Sequence, residues 1–405
     1  MEKFYKKRIS NNDTSTSDQG IAFSELISLL EGHELKEQIL EQIKYESFKD
    51  DFIAIPGAKA LFNVQKYINE RFRKEDLIHE LNEISIYNGD TFTINFPNLK
   101  SSAYLNTTLP NGILQTEAIY SSQRDFFAEL FGMEKYAGTL IKKGYRDIVE
   151  FNLNAVQKVL NKKKKFRILH DLNDNTFYLR AITSSGNYFN YDNNITIVIA
   201  LFALHNEMIN NQILYSLKRC EYNESFMRIF FESDAIEPLK NLGHIKYLVE
   251  ISNDEIKREA LKFSGICSII FGRNNNKEIF IQPKEIKSKI FSIKHNQTPE
   301  NAIKELTNFN KIKKVHENIT NDILKIVTIK DPDQIKHLVK TKVENATNQD
   351  IKVYKFDILN ELKNNIDTLT SLLETFHKIE LLAGEDINAV EYIRYIVYQS
   401  LIERR

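Results

Sequence analysis

The sequence predicts an α+β protein: a central, mainly antiparallel sheet with one long intervening helix, flanked by a helical N-terminal region and a helical C-terminal third. Short strand-like runs joined by short turns lie over 161–298. Short connections favour antiparallel pairing, because a parallel pair needs a long crossover. Between two of these strand pairs, an apolar stretch at about 193–209 predicts one buried helix, with Asp192 or Asn193 as its N-cap.

Composition and periodicity divide the chain into four regions. They are a mobile tail (1–20), a mostly helical N-terminal region (21–160), a strand-rich α+β core (161–298) and a helical C-terminal region (299–405). The N-terminal region also contains a predicted hairpin at 84–96. There the dipeptide Asn88-Gly89 suits a type I′ turn, because both positions tolerate a positive φ.

The overall composition limits the classes of function. The formal net charge is zero, so a nucleic-acid surface requires local clustering of basic residues. No apolar run reaches the length of a membrane span, and none near the N-terminus is typical of a signal peptide. Cys220 and Cys267 lie in apolar runs, where free cysteines act as small hydrophobic side chains. These features predict a cytoplasmic protein without a membrane partner.

The chain carries no sequence signature of catalysis. It has no phosphate-binding glycine loop, no dinucleotide fingerprint, no GxSxG elbow and no histidine pair with metal-site spacing. No cofactor, metal ion or catalytic residue is therefore predicted. An enzyme whose site forms only in three dimensions is the least favoured hypothesis.

The strongest functional signal is a basic run that enters the first core strand. Residues 142–167 contain nine basic and two acidic side chains. The candidate phosphate contacts in this run are Lys162, Lys163, Lys164, Lys165 and Arg167. Adjacent cationic groups repel one another, and phosphates neutralise them while releasing counterions. The run predicts contact with nucleic acid, and a solvated charge cluster is the alternative interpretation.

Nearby aromatic residues and a second basic patch extend this prediction. Tyr188 and Tyr191 are candidates for stacking on unpaired bases, although aromatic residues near strands usually belong to a core. The stretch 283–295 carries Lys287 and Lys289, which share one face if this stretch is a strand. Both patches flank the same predicted sheet, which favours a nucleic-acid interface.

Four segments carry a family resemblance. They are "YLRAITSSGNYFNYDN" at 178–193, "CEYNESFMRIFFE" at 220–232, "VEISNDEIKREALKFSGICSIIF" at 249–271 and "SIKHNQTPE" at 292–300. Over about residues 166–310, the chain resembles the phage- and plasmid-linked proteins of domain-of-unknown-function family 932. The landmarks of this resemblance are Asn253, Asp254, Glu255, Lys294 and His295.

The resemblance implies a mobile-element or phage-linked origin and no agreed activity. The chain departs from the family pattern at "IIFGRNNN", where Cys-x-Asn-Gly is common, and at Ile256, where glycine is common. Asn253 suits a turn because asparagine tolerates a positive φ. We expect Asp254 and Glu255 to be solvated at this turn, with binding of a cation or a base edge as the alternative.

Two hypotheses about function follow. The first is a nucleic-acid-binding protein of phage or plasmid type, with DNA favoured over RNA, acting by single-strand binding or annealing in replication or recombination. The alternative is a self-assembling structural or interaction component of phage or anti-phage defence biology. In that case the C-terminal helices form a homo-oligomer contact through an apolar stripe that otherwise packs on the core. The stripe consists of Leu359, Leu362, Ile366, Leu369, Leu372 and Leu373.

Overall fold

The computed structural model confirms the predicted α+β class. It describes residues 4, 6–10, 18–88, 92–109, 111–132, 134–160, 162–186, 188–256, 261–272, 274, 276–283 and 285–404. Most of the predicted tail lies outside the described residues, and so does Gly89 of the predicted turn. No helix within the described ranges is both long enough and apolar enough to cross a membrane.

The described residues form fifteen strands and fifteen α-helices. The strands are β1 (Lys7–Ser10), β2 (Ile21–Ala22), β3 (Phe52–Ile53), β4 (Phe72–Glu80), β5 (Ser85–Asn88), β6 (Phe92–Pro97), β7 (Ile113–Ala118), β8 (Lys163–Asp171), β9 (Thr176–Ser184), β10 (Tyr215–Tyr222), β11 (Phe226–Leu239), β12 (Gly243–Asp254), β13 (Leu261–Phe271), β14 (Lys277–Ile281) and β15 (Lys289–Ile293). The helices are α1 (Phe23–Ile27), α2 (Lys36–Gln42), α3 (Ala58–Arg71), α4 (Ala103–Thr108), α5 (Ser122–Phe131), α6 (Glu134–Lys142), α7 (Arg146–Gln157), α8 (Asn193–Asn211), α9 (Glu285–Ser288), α10 (Pro299–Lys304), α11 (Ile312–Leu324), α12 (Pro332–Glu344), α13 (Lys355–Glu361), α14 (Leu369–Leu382) and α15 (Ile387–Tyr398).

Seven strands form a large antiparallel sheet. Its order is β1-β10-β11-β12-β13-β14, and β15 also pairs with β13. Successive side chains point to opposite faces. Ile251 and Phe263 therefore lie in the main core, whereas Phe230 and Leu248 form a small cluster on the other face.

Helix α8 is the predicted long helix, and it lies inside the main core against β12. Its residues from Ile195 to Leu204 are buried, as expected for a helix that is apolar on all sides. Asp192 Oδ1 accepts a hydrogen bond from the backbone N–H of Ile195 at 3.0 Å. Asp192 is therefore the N-cap, and it fixes where the helix begins.

A second, six-stranded sheet has the order β4-β8-β9-β7-β6-β5. Its pairs are antiparallel except β7 with β9, which are parallel. Strands β8 and β9 belong to the predicted strand-rich core, whereas β4 to β7 come from the predicted helical N-terminal region. The residues of the predicted hairpin at 84–96 form the β5–β6 pair of this sheet. The second sheet therefore combines two regions that the sequence suggests are separate.

The C-terminal helices pack against the large sheet. Helix α11 contacts β13, and α14 and α15 contact β14. Leu362, Ile366, Leu372 and Leu373 of the apolar stripe are buried in the main core, and Leu359 and Leu369 pack against it. The predicted stripe is therefore used within one chain.

Candidate functional site

Asp254 and Glu255 are both buried at the end of β12, and their predicted solvation is wrong. Glu255 is fully buried. Its Oε1 accepts from Lys74 Nζ at 2.6 Å and from the backbone N–H of Asn193 at 3.1 Å, and its Oε2 accepts from Arg180 Nη1 at 2.6 Å. Asp254 Oδ1 accepts the backbone N–H of Ile256 at 3.1 Å, which closes the turn.

Three cations determine the charge state of Glu255. Burial alone would raise the pKa of its carboxyl, but Lys74, Arg180 and Arg167 outweigh burial and hold the pKa below its ordinary value. A buried carboxylate of this kind is tolerated because its oxygens are hydrogen-bonded to charged donors. Glu255 therefore joins the large sheet to β4 and β9 of the second sheet and to the first residue of α8.

Arg167 lies beside Glu255, and it is also fully buried. Its Nε donates to Asp76 Oδ1 at 3.2 Å, and its Nη1 donates to Tyr188 Oη and to the backbone carbonyl of Glu255, both at 2.9 Å. Burial disfavours its charge, but the neighbouring groups, with Asp76 the largest contributor and Glu255 among them, together outweigh burial and raise the pKa of Arg167 above its ordinary value. We call Lys74, Asp76, Arg167, Arg180 and Glu255 the Glu255 cluster.

The segment 188–192 connects the Glu255 cluster to the loop after β15. Tyr188 stacks on His295 with a centroid distance of 4.8 Å and an interplanar angle of 6°. The backbone N–H of Phe189 donates to the carbonyl of His295 at 2.6 Å, and Tyr191 Oη donates to the carbonyl of Gln297 at 2.8 Å. Residues from two predicted sets, the basic run with its aromatics and the family landmarks, thus meet in one place.

This burial removes two residues from the predicted nucleic-acid contacts. Arg167 and Tyr191 are fully buried and cannot contact a strand. Arg167 forms an ion pair with Asp76, and Tyr191 packs in the main core. Tyr188 is half-buried, and its ring already stacks on His295. The ring therefore already makes an aromatic contact within the chain, and its predicted base contact stays a prediction.

The four consecutive lysines are largely neutralised by acidic residues. Lys163 Nζ lies 3.5 Å from Glu80 Oε1, Lys164 Nζ lies 2.5 Å from Glu129 Oε2, and Lys165 Nζ lies 3.5 Å from Asp76 Oδ2. Lys164 and Lys165 are also half-buried, whereas Lys162 and Lys163 are exposed. The run is therefore not a continuous exposed polycation.

The described lysines of the second basic patch, at 283–295, are exposed, unlike most of the predicted contacts in the first. Lys287 lies in α9 and Lys289 begins β15, so the predicted strand alternation between them is wrong. Both are nevertheless exposed at one surface, where two adjoining grooves of about 590 and 630 Å³ share Lys289 and Lys311. We name this surface the lysine groove and define it by Lys287, Lys289, Lys294, Lys311 and Lys314.

Most of the lysine groove carries uncompensated charge. Five lysines line it against one aspartate and one glutamate, a formal excess of three positive charges. Lys287 Nζ lies 3.2 Å from Asp322 Oδ2, which holds the pKa of Lys287 above its ordinary value. Among the described residues, the other four lysines form no ion pair. Asparagines from α10, α11 and the neighbouring turns supply amide groups to the same surface.

A separate cleft of about 680 Å³ lies beside the Glu255 cluster, lined by Lys74, Asp76, Arg167 and Asp192 among others. His33 also lines it, and its side chain is 7% exposed. The backbone N–H of Leu35 donates to His33 Nδ1 at 3.0 Å, which places the proton of neutral His33 on Nε2. His33 therefore lacks the free lone pair that a general base needs.

Sequence reasoning missed Lys74 and Asp76, because β4 ("FRKEDLIHE") is too highly charged to be typical of a strand. One signal was available. In the antiparallel register, Asp76 faces Arg167 and Glu80 faces Lys163, so β4 is acidic where β8 is basic. Cross-strand pairs of opposite charge stabilise a sheet. The complementary charge patterns therefore predict this pairing once both segments are considered together.

Comparisons with known proteins identify no relative of this chain: no family model matches, and neither does any curated protein or solved structure. The resemblance to domain-of-unknown-function family 932 over about residues 166–310 stays a prediction. In the structure, four of its five landmarks are buried at the Glu255 cluster or the loop after β15. The fifth, Lys294, is exposed in the lysine groove.

Proposed function

We propose that the protein binds nucleic acid, with DNA favoured over RNA, and that the lysine groove is the interface. One observation carries this proposal: Lys289, Lys294, Lys311 and Lys314 form no ion pair among the described residues, whereas Lys163 to Lys165 each have a carboxylate partner. Unpaired ammonium groups on a concave surface attract phosphates and release counterions when they bind them.

The lining of the groove favours contacts to the sugar–phosphate backbone. The described residues that line it include no exposed aromatic side chain, since Phe291 is buried. Lysines bind phosphates, and asparagine and serine side chains also hydrogen-bond to phosphate and sugar oxygens. Binding at the groove itself is therefore largely independent of sequence. Such binding is compatible with the proposed phage- or plasmid-type role in replication or recombination.

Two variants with equal charge change test the location of the interface. Lys289→Glu/Lys311→Glu removes two unpaired lysines from the groove, and Lys162→Glu/Lys163→Glu makes the same change at the exposed end of the basic run. Affinity for a labelled single-stranded and a labelled duplex DNA is measured across a salt series. The groove variant is expected to lose at least about tenfold in affinity and about one unit of salt slope per lysine.

The control variant separates location from net charge. Lys162→Glu/Lys163→Glu is expected to retain most of the affinity, because those lysines lie outside the groove. Equal losses in both variants would show that only net charge matters. Absence of binding by the wild-type protein at low salt would refute nucleic-acid binding.

Self-assembly through the C-terminal helices is a second candidate function, supported by two exposed apolar residues. Val353, two residues before α13, is 81% exposed, and Phe356, in the first turn of α13, is 77% exposed. Adjacent exposed apolar side chains favour a protein contact. Replacing both by serine is expected to lower the molar mass measured by light scattering if the wild type is an oligomer. A monomeric wild type would refute this candidate.

A further inference from the structure

Helix α7 carries apolar side chains on two faces, and only one of these faces is covered. Val149 and Leu153 are buried in the core of the second sheet. On the far side of the helix, Ile148 is 45% exposed, Phe151 is 73% exposed and Ala155 is also exposed. These three residues are spaced by three and by four positions, so they lie on one face of the helix. We call them the α7 stripe.

Exposed apolar residues continue at both ends of the α7 stripe. Tyr145 directly precedes the helix and is 54% exposed, and Val159 follows it and is 83% exposed. Scattered single apolar residues are normal on a protein surface, whereas a contiguous row is typical of a contact surface. The row from 145 to 159 therefore favours a protein partner.

The α7 stripe is complementary in size to a second copy of itself. In an antiparallel pair of α7 helices, a two-fold axis between Phe151 and Ala155 places each phenyl ring against the small side chain of Ala155 in the other copy. A large residue opposite a small one lets two helices interdigitate at close range. The same patch then serves both copies, as a two-fold contact requires.

The exposed charges of α7 match in the same antiparallel arrangement. Asp147 lies in the first turn of α7 and Lys158 is its C-cap. Both are exposed, and neither forms an ion pair among the described residues. The two-fold axis places Lys158 of one copy opposite Ile148 of the other, where its apolar stem covers Ile148 and its ammonium group reaches Asp147. A parallel pair would place like charges together instead.

The charge of α7 disfavours a polyanion as the partner of this face. Asp147 and Glu150 are exposed on the helix, and carboxylates repel the phosphates of nucleic acid or of an anionic bilayer. Lys142 and Lys143 would attract such a partner, but they precede the helix. A second copy offers charges of both signs and an apolar stripe of equal length, so it is the better fit.

We propose that the α7 stripe is a homodimer contact, formed by antiparallel packing against α7 of a second copy. This contact shares no residue with the lysine groove and does not depend on nucleic-acid binding. Helix α7 has 12 residues and is therefore about 18 Å long. A contact of that length is smaller than a standard interface of about 800 Å² per partner, so the dimer is expected to dissociate on dilution.

Two phenylalanine variants test the location of the contact. Phe151→Gln removes the central apolar residue of the α7 stripe, and Phe356→Gln makes the same change at a residue that is 77% exposed on α13. Sedimentation equilibrium over a dilution series, at a salt concentration that removes bound nucleic acid, gives the dimer dissociation constant. Phe151→Gln is expected to raise it at least about tenfold, because a buried aromatic residue dominates a small interface. Phe356→Gln is expected to leave it unchanged.

A charge exchange tests the antiparallel orientation. Asp147→Lys and Lys158→Asp each place like charges together at both ends of the helix pair. Each variant is expected to raise the dissociation constant at least about threefold. The double variant Asp147→Lys/Lys158→Asp restores opposite charges and is expected to return the constant to about the wild-type value. Thermal melting verifies that every variant folds.

Four outcomes would overturn the homodimer contact. A wild-type protein that stays monomeric at the highest concentration refutes it directly. A dimer that Phe356→Gln weakens as much as Phe151→Gln assigns self-association to the C-terminal helices or to no single surface. Failure of the double charge variant to recover rules out the antiparallel pair. Loss of DNA affinity in a Phe151→Gln protein that still dimerises like the wild type assigns the α7 stripe to nucleic acid.

Discussion

Lys74 Nζ lies 2.6 Å from Glu255 Oε1, although 181 positions separate the two residues in the sequence. Lys74 belongs to β4 of the second sheet, and Glu255 follows β12 of the large sheet. Arg180 of β9 reaches the other oxygen of the same carboxylate at 2.6 Å. One buried side chain therefore connects the two sheets, and its removal affects both.

Replacing Glu255 by glutamine is expected to lower the free energy of unfolding by about 3–5 kcal/mol, because Lys74 and Arg180 then remain buried without their counter-charge. Urea denaturation followed by circular dichroism measures the loss. Glu70→Gln is the matched control, since Glu70 is exposed at the rim of the cleft and should leave the unfolding midpoint close to wild type. Equal midpoints for the two variants would contradict a structural role for Glu255.

The buried side chain of His316 is expected to make the stability of the fold depend on pH. Its Nε2 lies 2.9 Å from the backbone carbonyl of Leu248, and burial lowers the pKa of His316 to about 4 despite this hydrogen bond. The folded protein holds His316 neutral, whereas the unfolded chain takes up a proton near pH 6.5. Stability is therefore present above pH 6.5 and falls as the pH drops towards 4, by about 3 kcal/mol from this group.

A pair of histidine variants isolates that contribution. His316→Gln keeps a donor for the carbonyl of Leu248 and removes the titration, so its stability is expected to change less between pH 7 and pH 4 than that of the wild type. His337→Gln is the control, because the side chain of His337 is 60% exposed. If the stability of His316→Gln changes with pH as much as that of the wild type, groups other than His316 cause the pH dependence.

Tyr188→Phe separates the structural role of Tyr188 from the predicted base contact. The variant loses the hydrogen bond between Tyr188 Oη and Arg167 Nη1 and keeps the stack on His295. The free energy of unfolding is expected to fall by about 1–3 kcal/mol, since Arg167 keeps its charge and loses one buried acceptor. DNA affinity is expected to stay at the wild-type value. A loss of affinity at unchanged stability would restore Tyr188 as a direct contact.

The elements that the sequence predicts well are those with local signals. Helix α8 has an apolar run and a capping aspartate, and the strand pairs of the large sheet have alternating apolar residues and short turns. Strand β4 lacks such a signal, because its stability depends on charges supplied by β8, about 90 positions later in the chain. Glu255 could not be placed from the sequence for the same reason. A glutamate next to Asn and Asp is typical of a solvated turn, and the two cations that pair with it, Lys74 and Arg180, are distant in the sequence.

The location of the lysine groove could not be predicted from the sequence either. Consecutive lysines at 162–165 are conspicuous in the sequence, but three of them face carboxylates that folding brings to them. Lys289, Lys294 and Lys311 are scattered and inconspicuous, and folding gathers them around β15 and α11. Ion pairing is a long-range property, so the density of charge along the chain does not predict the charge of the surface.

The apolar stripe of the C-terminal helices gives a last prediction, with two leucines of α14 as a matched pair. Leu373 is fully buried in the main core, and Leu381 is 63% exposed. Leu373→Ala is expected to lower the free energy of unfolding by about 2–5 kcal/mol through lost burial and a new cavity, while Leu381→Ala changes it little. Urea denaturation measures stability, and light scattering measures molar mass. An oligomer contact through the stripe predicts the reverse: Leu373→Ala would then reduce the molar mass and leave the stability of the subunit unchanged.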